Sequence, residues 1–189
     1  MARYRVSDVW PFLSDPYEFA KCIIMIQISI QKPDDDAAID QLMAEAFGVK
    51  RFERSVWVLR PGPPVPSLCL TINDDGQMVG SLRFWEVMLG NQRILLLGPL
   101  AVQPKLRGKG YGRMLVEEAL HRAGDGEWDL VLVSGEVDYY PKFGFVPAAG
   151  YGLEWPGFIE AERLQLRELK DGALQRLPAG PLAVKPVLV

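Results

Sequence analysis

The clearest pattern in the chain begins at Ile24, where Ile24, Ile26, Ile28 and Ile30 alternate with Met25, Gln27 and Ser29. A period of two predicts a half-buried β-strand. Lys32-Pro33 breaks it, and Asp34 and Asp35 supply an N-cap whose negative charge suits a helix start. Ile39, Leu42, Met43 and Ala46 follow at helical spacing, and Gly48 ends that helix. A second short helical stretch is read over 52–59, and the prolines at 61, 63, 64 and 66 then make a rigid loop. Strands resume at 67–72 and 78–87, joined by Asn73-Asp74-Asp75-Gly76, a strong hairpin turn signal.

Residues 94–102 form the most apolar strand, read as central in its sheet. A helix over 110–123 puts Leu115, Val116, Ala119, Leu120 and Ala123 on one face, and Leu130-Val131-Leu132-Val133 reads as a buried strand parallel to its neighbour. Strand, glycine-rich turn, helix and strand in that order make a crossover unit. Short strands close the chain around 158–166 and 182–187. The fold class is α/β with a mixed sheet. Residues 1–24, where Pro11 and Pro16 interrupt any period, read as an extension; residues 25–189 read as one domain.

Composition narrows the function. Apolar types are 49% and charged types 24% of 189 residues, an ordinary globular balance. With 21 basic against 24 acidic residues the net charge is −3, which argues against nucleic acid or an anionic membrane as partner. The longest apolar run, Cys22 to Ile26, falls far short of the ~20 residues of a membrane span, so a cytoplasmic location is expected. Two cysteines, Cys22 and Cys69, and one histidine, His121, leave no disulfide framework and no metal site.

The chemistry concentrates at Arg107-Gly-Lys-Gly-Tyr-Gly-Arg113, directly after the apolar strand. Glycines 108, 110 and 112 let the chain aim successive N–H groups at one point, and the N-terminus of the next helix adds its own unpaired N–H groups. Lys105, Arg107, Lys109 and Arg113 surround the turn with positive charge. Such a cradle fits a polyphosphate. Lys109 is not followed by Ser or Thr, so the mononucleotide P-loop does not fit, and G-x-G-x-G is not the dinucleotide G-x-G-x-x-G. Arg107, Gly110 and Gly112 instead satisfy R-x-x-G-x-G, which resembles the coenzyme A pyrophosphate loop of the GNAT superfamily of N-acetyltransferases.

A second signature follows the next strand. Tyr140, Gly144 and Phe145 stand at the spacing these enzymes carry, and Tyr139-Tyr140 with Phe143-Gly144-Phe145 and Leu97-Gly-Pro-Leu-Ala-Val102 resembles one bacterial branch of the superfamily. The resemblance covers residues 25–189 and implies a mixed central sheet whose fourth and fifth strands splay apart, flanked by helices. It implies acetyl-CoA as cosubstrate, with no metal. Cofactor-binding residues are then Leu100, Ala101 and Val102, through main-chain pairing with the pantetheine arm, and Arg107, Gly108, Lys109, Gly110, Tyr111, Gly112 and Arg113. Pro99 independently marks a bulge or break in the strand, since it has no N–H to donate. The N–H of Val102 is a candidate oxyanion donor.

The expected activity is transfer of acetyl to a primary amine by direct attack in a ternary complex, Tyr140 acting as the acid that protonates the leaving thiolate. Its bland counterpart is a tyrosine packed on the sheet, and Tyr139 is read that way. No motif names the base; Glu86, Glu136 and Asp138 are candidates. Trp85 and Trp155 are candidates for an acceptor pocket, built from residues 47–66 and 85–92. The acceptor is a small-molecule or peptide amine, and the acidic chain favours a cationic one such as a polyamine or a lysine. A homodimer is allowed. The alternative is a non-catalytic acyl-CoA sensor, which needs the loop but no acid.

Overall fold

A computed structural model describes residues 26–187, so the extension at 1–24 and the start of the first alternating run lie outside the described residues. Strand β1 (Gln27–Ile30) is followed by helix α1 (Asp36–Phe47), which Gly48 ends at φ +74°. The stretch read as one short helix is instead two 3-10 turns, Val49–Glu53 and Ser55–Leu59, separated by an extended Arg54. Strands β2 (Leu70–Asp74), β3 (Gln77–Leu89) and β4 (Gln92–Val102) form an antiparallel meander with its first turn at Asp75-Gly76. Helix α2 (Tyr111–Gly124) crosses back to β5 (Leu130–Ser134), which runs parallel to β4. Beyond it lie β6 (Val146–Pro147), β7 (Leu153–Glu154), β8 (Leu164–Glu168) and β9 (Leu182–Pro186).

The sheet runs β1-β2-β3-β4-β5-β8-β6, and β9 pairs with the far end of β3 at Val87–Leu89 and with β7. β4 and β5 are central, and period-two alternation divides their side chains between two cores. Leu95, Leu97, Val131 and Val133 face α2 with Leu115, Val116 and Ala119, whereas Ile94, Leu96, Leu130 and Leu132 face Leu164, Leu166, Leu182 and Val184. Burial on both faces explains why these two strands are continuously apolar in sequence.

The feature that makes the site is a bulge in β4. Leu82 pairs with Leu100 and Phe84 with Leu97, so Gly98 and Pro99 together oppose Arg83. The extra residue resets the alternation: Leu97 before the bulge and Leu100 and Val102 after it all pack toward α2, while Ala101 turns to Ile39, Leu42 and Met43 of α1. Pairing of β4 with β5 ends at Leu97 with Val133, yet β4 runs on to Val102. The two central strands part there, as the proline at 99 suggested.

Candidate active site

After β4 the chain makes a 3-10 turn at Pro104–Leu106 and then the glycine turn. Gly108 and Gly110 sit at φ +81° and +91°, the left-handed region, and a β-carbon at either would meet nothing within 4 Å. Glycine is needed there for backbone direction rather than for space. The first bond of α2 runs from Met114 N–H to Gly110 O at 3.0 Å, leaving the N–H groups of Tyr111, Gly112 and Arg113 without helical acceptors. Those groups and the positive end of the helix dipole meet at the mouth of a cleft of about 790 Å³.

Arg107, Gly108, Gly110, Tyr111, Gly112 and Arg113 all border that cleft, whereas Lys105 and Lys109 do not. Arg107 also donates to the carbonyl of Ala46 at 3.2 Å, tying the loop to the end of α1, and Arg113 bridges to Glu117 at 2.7 Å. The phenol of Tyr111 points elsewhere and donates to Asp74 Oδ2 at the end of β2. That hydrogen bond, with some burial, pushes the Tyr111 phenol up to about 12.

Beyond the bulge the two sides of β4 differ. Gln103 N–H donates to Val79 O on β3 at 2.9 Å, and Ala101 pairs with Ser81. Alternation then turns the main chain of Leu100 and Val102 the other way, to the side β5 has left. Leu100 and Val102 border the cleft; Ala101 does not, because its N–H and C=O face β3.

The far end of the cleft is formed by Ser134, the last residue of β5, and by Gly135, Glu136, Tyr139 and Tyr140 just past it. Tyr140 is only 7% exposed, its ring edge-on to Tyr139 at 5.1 Å and to Phe145 at 5.5 Å. Burial raises its phenol well above the ordinary tyrosine range, so it keeps its proton throughout neutral and mildly alkaline conditions. Tyr139 is half-buried and shifted the same way, first by desolvation. Lys142 lies 3.9 Å over the Tyr139 ring, and the Tyr139 hydroxyl stands 3.0 Å from where a β-carbon on Gly112 would be. Tyr139 thus joins the glycine turn to the strand end.

The opposing wall comes from the segment between α1 and β2, with Arg51, Arg54, Val56, Trp57 and Arg60. This is within the 47–66 stretch read as acceptor-forming, but these particular residues were not singled out by sequence. Arg51 stacks on Phe52 at 4.3 Å, and Arg60 lies between Trp57 at 5.1 Å and Trp85 at 5.0 Å. The interleaving of Arg51, Phe52, Arg54, Trp57 and Arg60 is the one sequence signal that points to such a wall.

Other candidates fall elsewhere. Glu86 accepts from Trp128 Nε1 at 2.8 Å and bridges to Arg93, lining a smaller pocket under the proline loop. Glu136 does border the cleft, bridged to Arg163 at 2.9 Å, while Asp138 is exposed outside it. His121 is an exposed residue of α2. Trp155 donates to Ser55 Oγ at 2.9 Å, and Trp85 donates to Gly62 O at 2.9 Å; neither borders the cleft. Among the described residues no cluster of His, Cys, Asp or Glu is suited to a metal ion, and no helix is long and apolar enough to cross a membrane.

Known proteins share this arrangement. A sequence profile described as an acetyltransferase (GNAT) domain matches residues 66–147, the span from β2 to β6 that contains the loop and Tyr140. The N-acetyltransferase YhbS of Escherichia coli is 32% identical over 151 residues, covering 78% of this chain and 89% of the relative. The N-acetyltransferase YjhQ of the same organism is 29% identical over 126 residues, 64% of this chain and 70% of that one. The crystal structure of E. coli YhbS in complex with CoA superposes with a TM-score of 0.74 at 28% identity, covering 93% and 94% of the two chains. A Brucella melitensis GNAT acetyltransferase shares the fold at a TM-score of 0.62 and 23% identity, over 86% and 96%. With its glycine turn, its parted central strands and this extent of identity, the chain belongs to the GNAT family of N-acetyltransferases.

Proposed function

We propose that the protein transfers acetyl from acetyl-CoA to a primary amine, the two substrates bound together and Tyr140 acting as general acid. The observation that carries this reading is the continuity of one cleft, from the left-handed glycine turn, along the outward-turned main chain of Leu100 and Val102, to the buried Tyr140. The E. coli relative with the same fold is a CoA complex, which agrees with it.

The chain's residues fit the donor. The N–H groups at 111–113, Arg107 and Arg113 hold its pyrophosphate; the glycines at 108 and 110 keep that space clear of β-carbons. The main chain of Leu100 and Val102 pairs with the pantetheine amides. Ala101 and Lys109 leave the binding set, the first because its main chain serves β3 and the second because it lies off the cleft. When bound, the donor supplies an activated acetyl thioester. Val102 N–H, turned into the cleft, offers a hydrogen bond to charge on the acetyl oxygen. Tyr140 gives its proton to the departing sulfur as the amine nitrogen bonds to the acetyl carbon. The amine's surplus proton passes to water, and the phenolate takes one back, which its raised pKa favours.

Calorimetry with acetyl-CoA, followed by thiol release against a panel of amines, tests the reading. Tyr140→Phe is expected to lower kcat by about 10²–10⁴-fold at unchanged acetyl-CoA affinity. Unchanged turnover in that variant removes Tyr140 from the role. Acetyl-CoA bound but never consumed makes the protein a sensor instead.

A further inference from the structure

Arg60 is a half-buried cation with no counterion among the described residues. Its Nε is sealed from solvent and finds no hydrogen-bond acceptor among the described residues, and it takes part in no salt bridge there. Its guanidinium is held between two indole faces, and burial pushes it down to about 9, which leaves it charged at neutral pH. A charge placed this way is expensive for the fold unless something compensates it.

Its position says what that is. Nη2 lies 3.5 Å from where a β-carbon on Gly98 would stand, beside the bulge that opens the cleft. It is also close enough to Tyr140 for each group to feel the other's charge. Arg60 therefore sits at the reacting end, opposite the pyrophosphate turn. The same wall carries Arg51 and Arg54, also without salt bridges among the described residues, and their neighbour Glu53 does not border the cleft; Glu136 across the cleft is paired with Arg163. A polyamine or lysine acceptor, the expectation from a net charge of −3, would meet three arginines.

Resting on the acetyltransferase reading, we infer that the acceptor is an anionic amine, a small molecule with an acid group within a few bonds of its amino nitrogen, and that Arg60 is the residue that selects it. The amino-acid class has this geometry: the carboxylate pairs with the guanidinium while the neighbouring nitrogen faces Tyr140. An aminoalkylphosphonate presents the same charge to the same fork.

The test is a matched panel of amino acids, their carboxamides, aminoalkylphosphonates and spermidine, assayed by thiol release with saturating acetyl-CoA. The acids or the phosphonates are expected to exceed the carboxamides and spermidine at least tenfold in kcat/KM, and whichever anion leads identifies the source. Arg60→Gln should shrink the acid-to-carboxamide ratio at least tenfold, mainly through KM, and Arg60→Lys should retain part of it. Calorimetry of the CoA-saturated protein with N-acetyl-amino acids and their amides reads the same preference without turnover, and melting curves identify any variant that fails to fold. Carboxamides or spermidine used as well as the acids, or an Arg60→Gln variant with the ratio intact, overturns the inference while leaving the acetyltransferase reading in place. Failure of the wild type to bind acetyl-CoA overturns that reading itself.

Discussion

Gly135→Ala is the most incisive single change, because it displaces Tyr140 while leaving that side chain chemically unaltered. A β-carbon at 135 would stand 2.0 Å from Cε2 of Tyr140, 2.8 Å from Cδ2 and 3.0 Å from Cζ. Carbon atoms in contact settle at about 3.5–4.0 Å, so the ring must retreat by roughly 1.5 Å. Retreat is obstructed: Tyr139, Phe143 and Phe145 pack around the ring at centroid distances of 5.1, 6.4 and 5.5 Å, and only 7% of the residue is exposed. Gly135 cannot yield easily either, since its N–H donates to Arg163 O at 3.0 Å. Overpacking of this kind costs about 1–3 kcal/mol. A catalytic group moved by about 1 Å loses on the order of 10²-fold in rate. Urea unfolding reads the first quantity and thiol release under saturating substrates the second, with Gly150→Ala, exposed and with nothing within 4 Å of its added carbon, as control. Loss of stability with turnover retained in the folded protein would leave the packing correct and the acid assignment wrong. Wild-type stability and turnover together would mean that the ring does not lie against Gly135 at all.

Further predictions address the loop, the anchor of α2 and the acid's titration. Gly110→Glu, placing bulk and negative charge at φ +91°, should weaken acetyl-CoA binding at least about 100-fold by calorimetry; unchanged affinity removes the turn as the anion site. Tyr111→Phe strands Asp74, whose Oδ1 is already buried without a partner, and should cost about 1–3 kcal/mol in urea unfolding. The Tyr111 phenol is raised in the folded state, so its contribution is full below its unfolded value near ~10 and is lost as pH climbs toward about 12. Wild type should therefore lose stability across that window more steeply than Tyr111→Phe, and parallel curves refute the bond. On the proposed mechanism the protonated form of Tyr140 is the active one, and burial raises its pKa, so kcat should show no alkaline decline between pH 7 and about 10. A limb in that range belonging to this residue, absent in Tyr140→Phe, contradicts its burial.

What could be read from the chain and what could not divide along one physical line. Alternation around Ile28 and the apolar runs 94–97 and 130–133 announce strands because one or both faces there meet a core, although Ile30 continues the alternation and is exposed; the turn from Arg107 to Arg113 announces itself because glycine and cation chemistry is local. The two-residue strands β6 and β7 are too short to carry any period, and the 3-10 turns at 49–53 and 55–59 imitate a helix until Arg54 interrupts it. Ala101 is the instructive case, its main chain facing β3 where the sequence groups it with Leu100 and Val102. Pro99 marks a break, but a bulge also shifts the parity of everything after it, and which residue is the extra one depends on pairing with Arg83 across the sheet. Reading three successive residues as donor contacts ignores that a strand offers only every second one to each side.

Arg60 is hidden for a different reason. In sequence it is one of 21 basic residues in an acidic chain, and net charge describes the field far from the surface, where countercharges average. Inside the cleft the relevant charge is what lies within a few ångströms after the fold has removed water, and there the residues that the α1–β2 segment lends to the lining include arginines and no acid, Glu53 being exposed off the cleft. The Nε of that guanidinium is sealed without a partner beside the bulge of β4, where a packed core would have little reason to keep a charge. On the proposed mechanism the donor is held by the loop and the strand edge, where backbone geometry does the work and sequence motifs follow from it. Acceptor selectivity would then come from across the cleft, from side chains whose meaning is set by what they face.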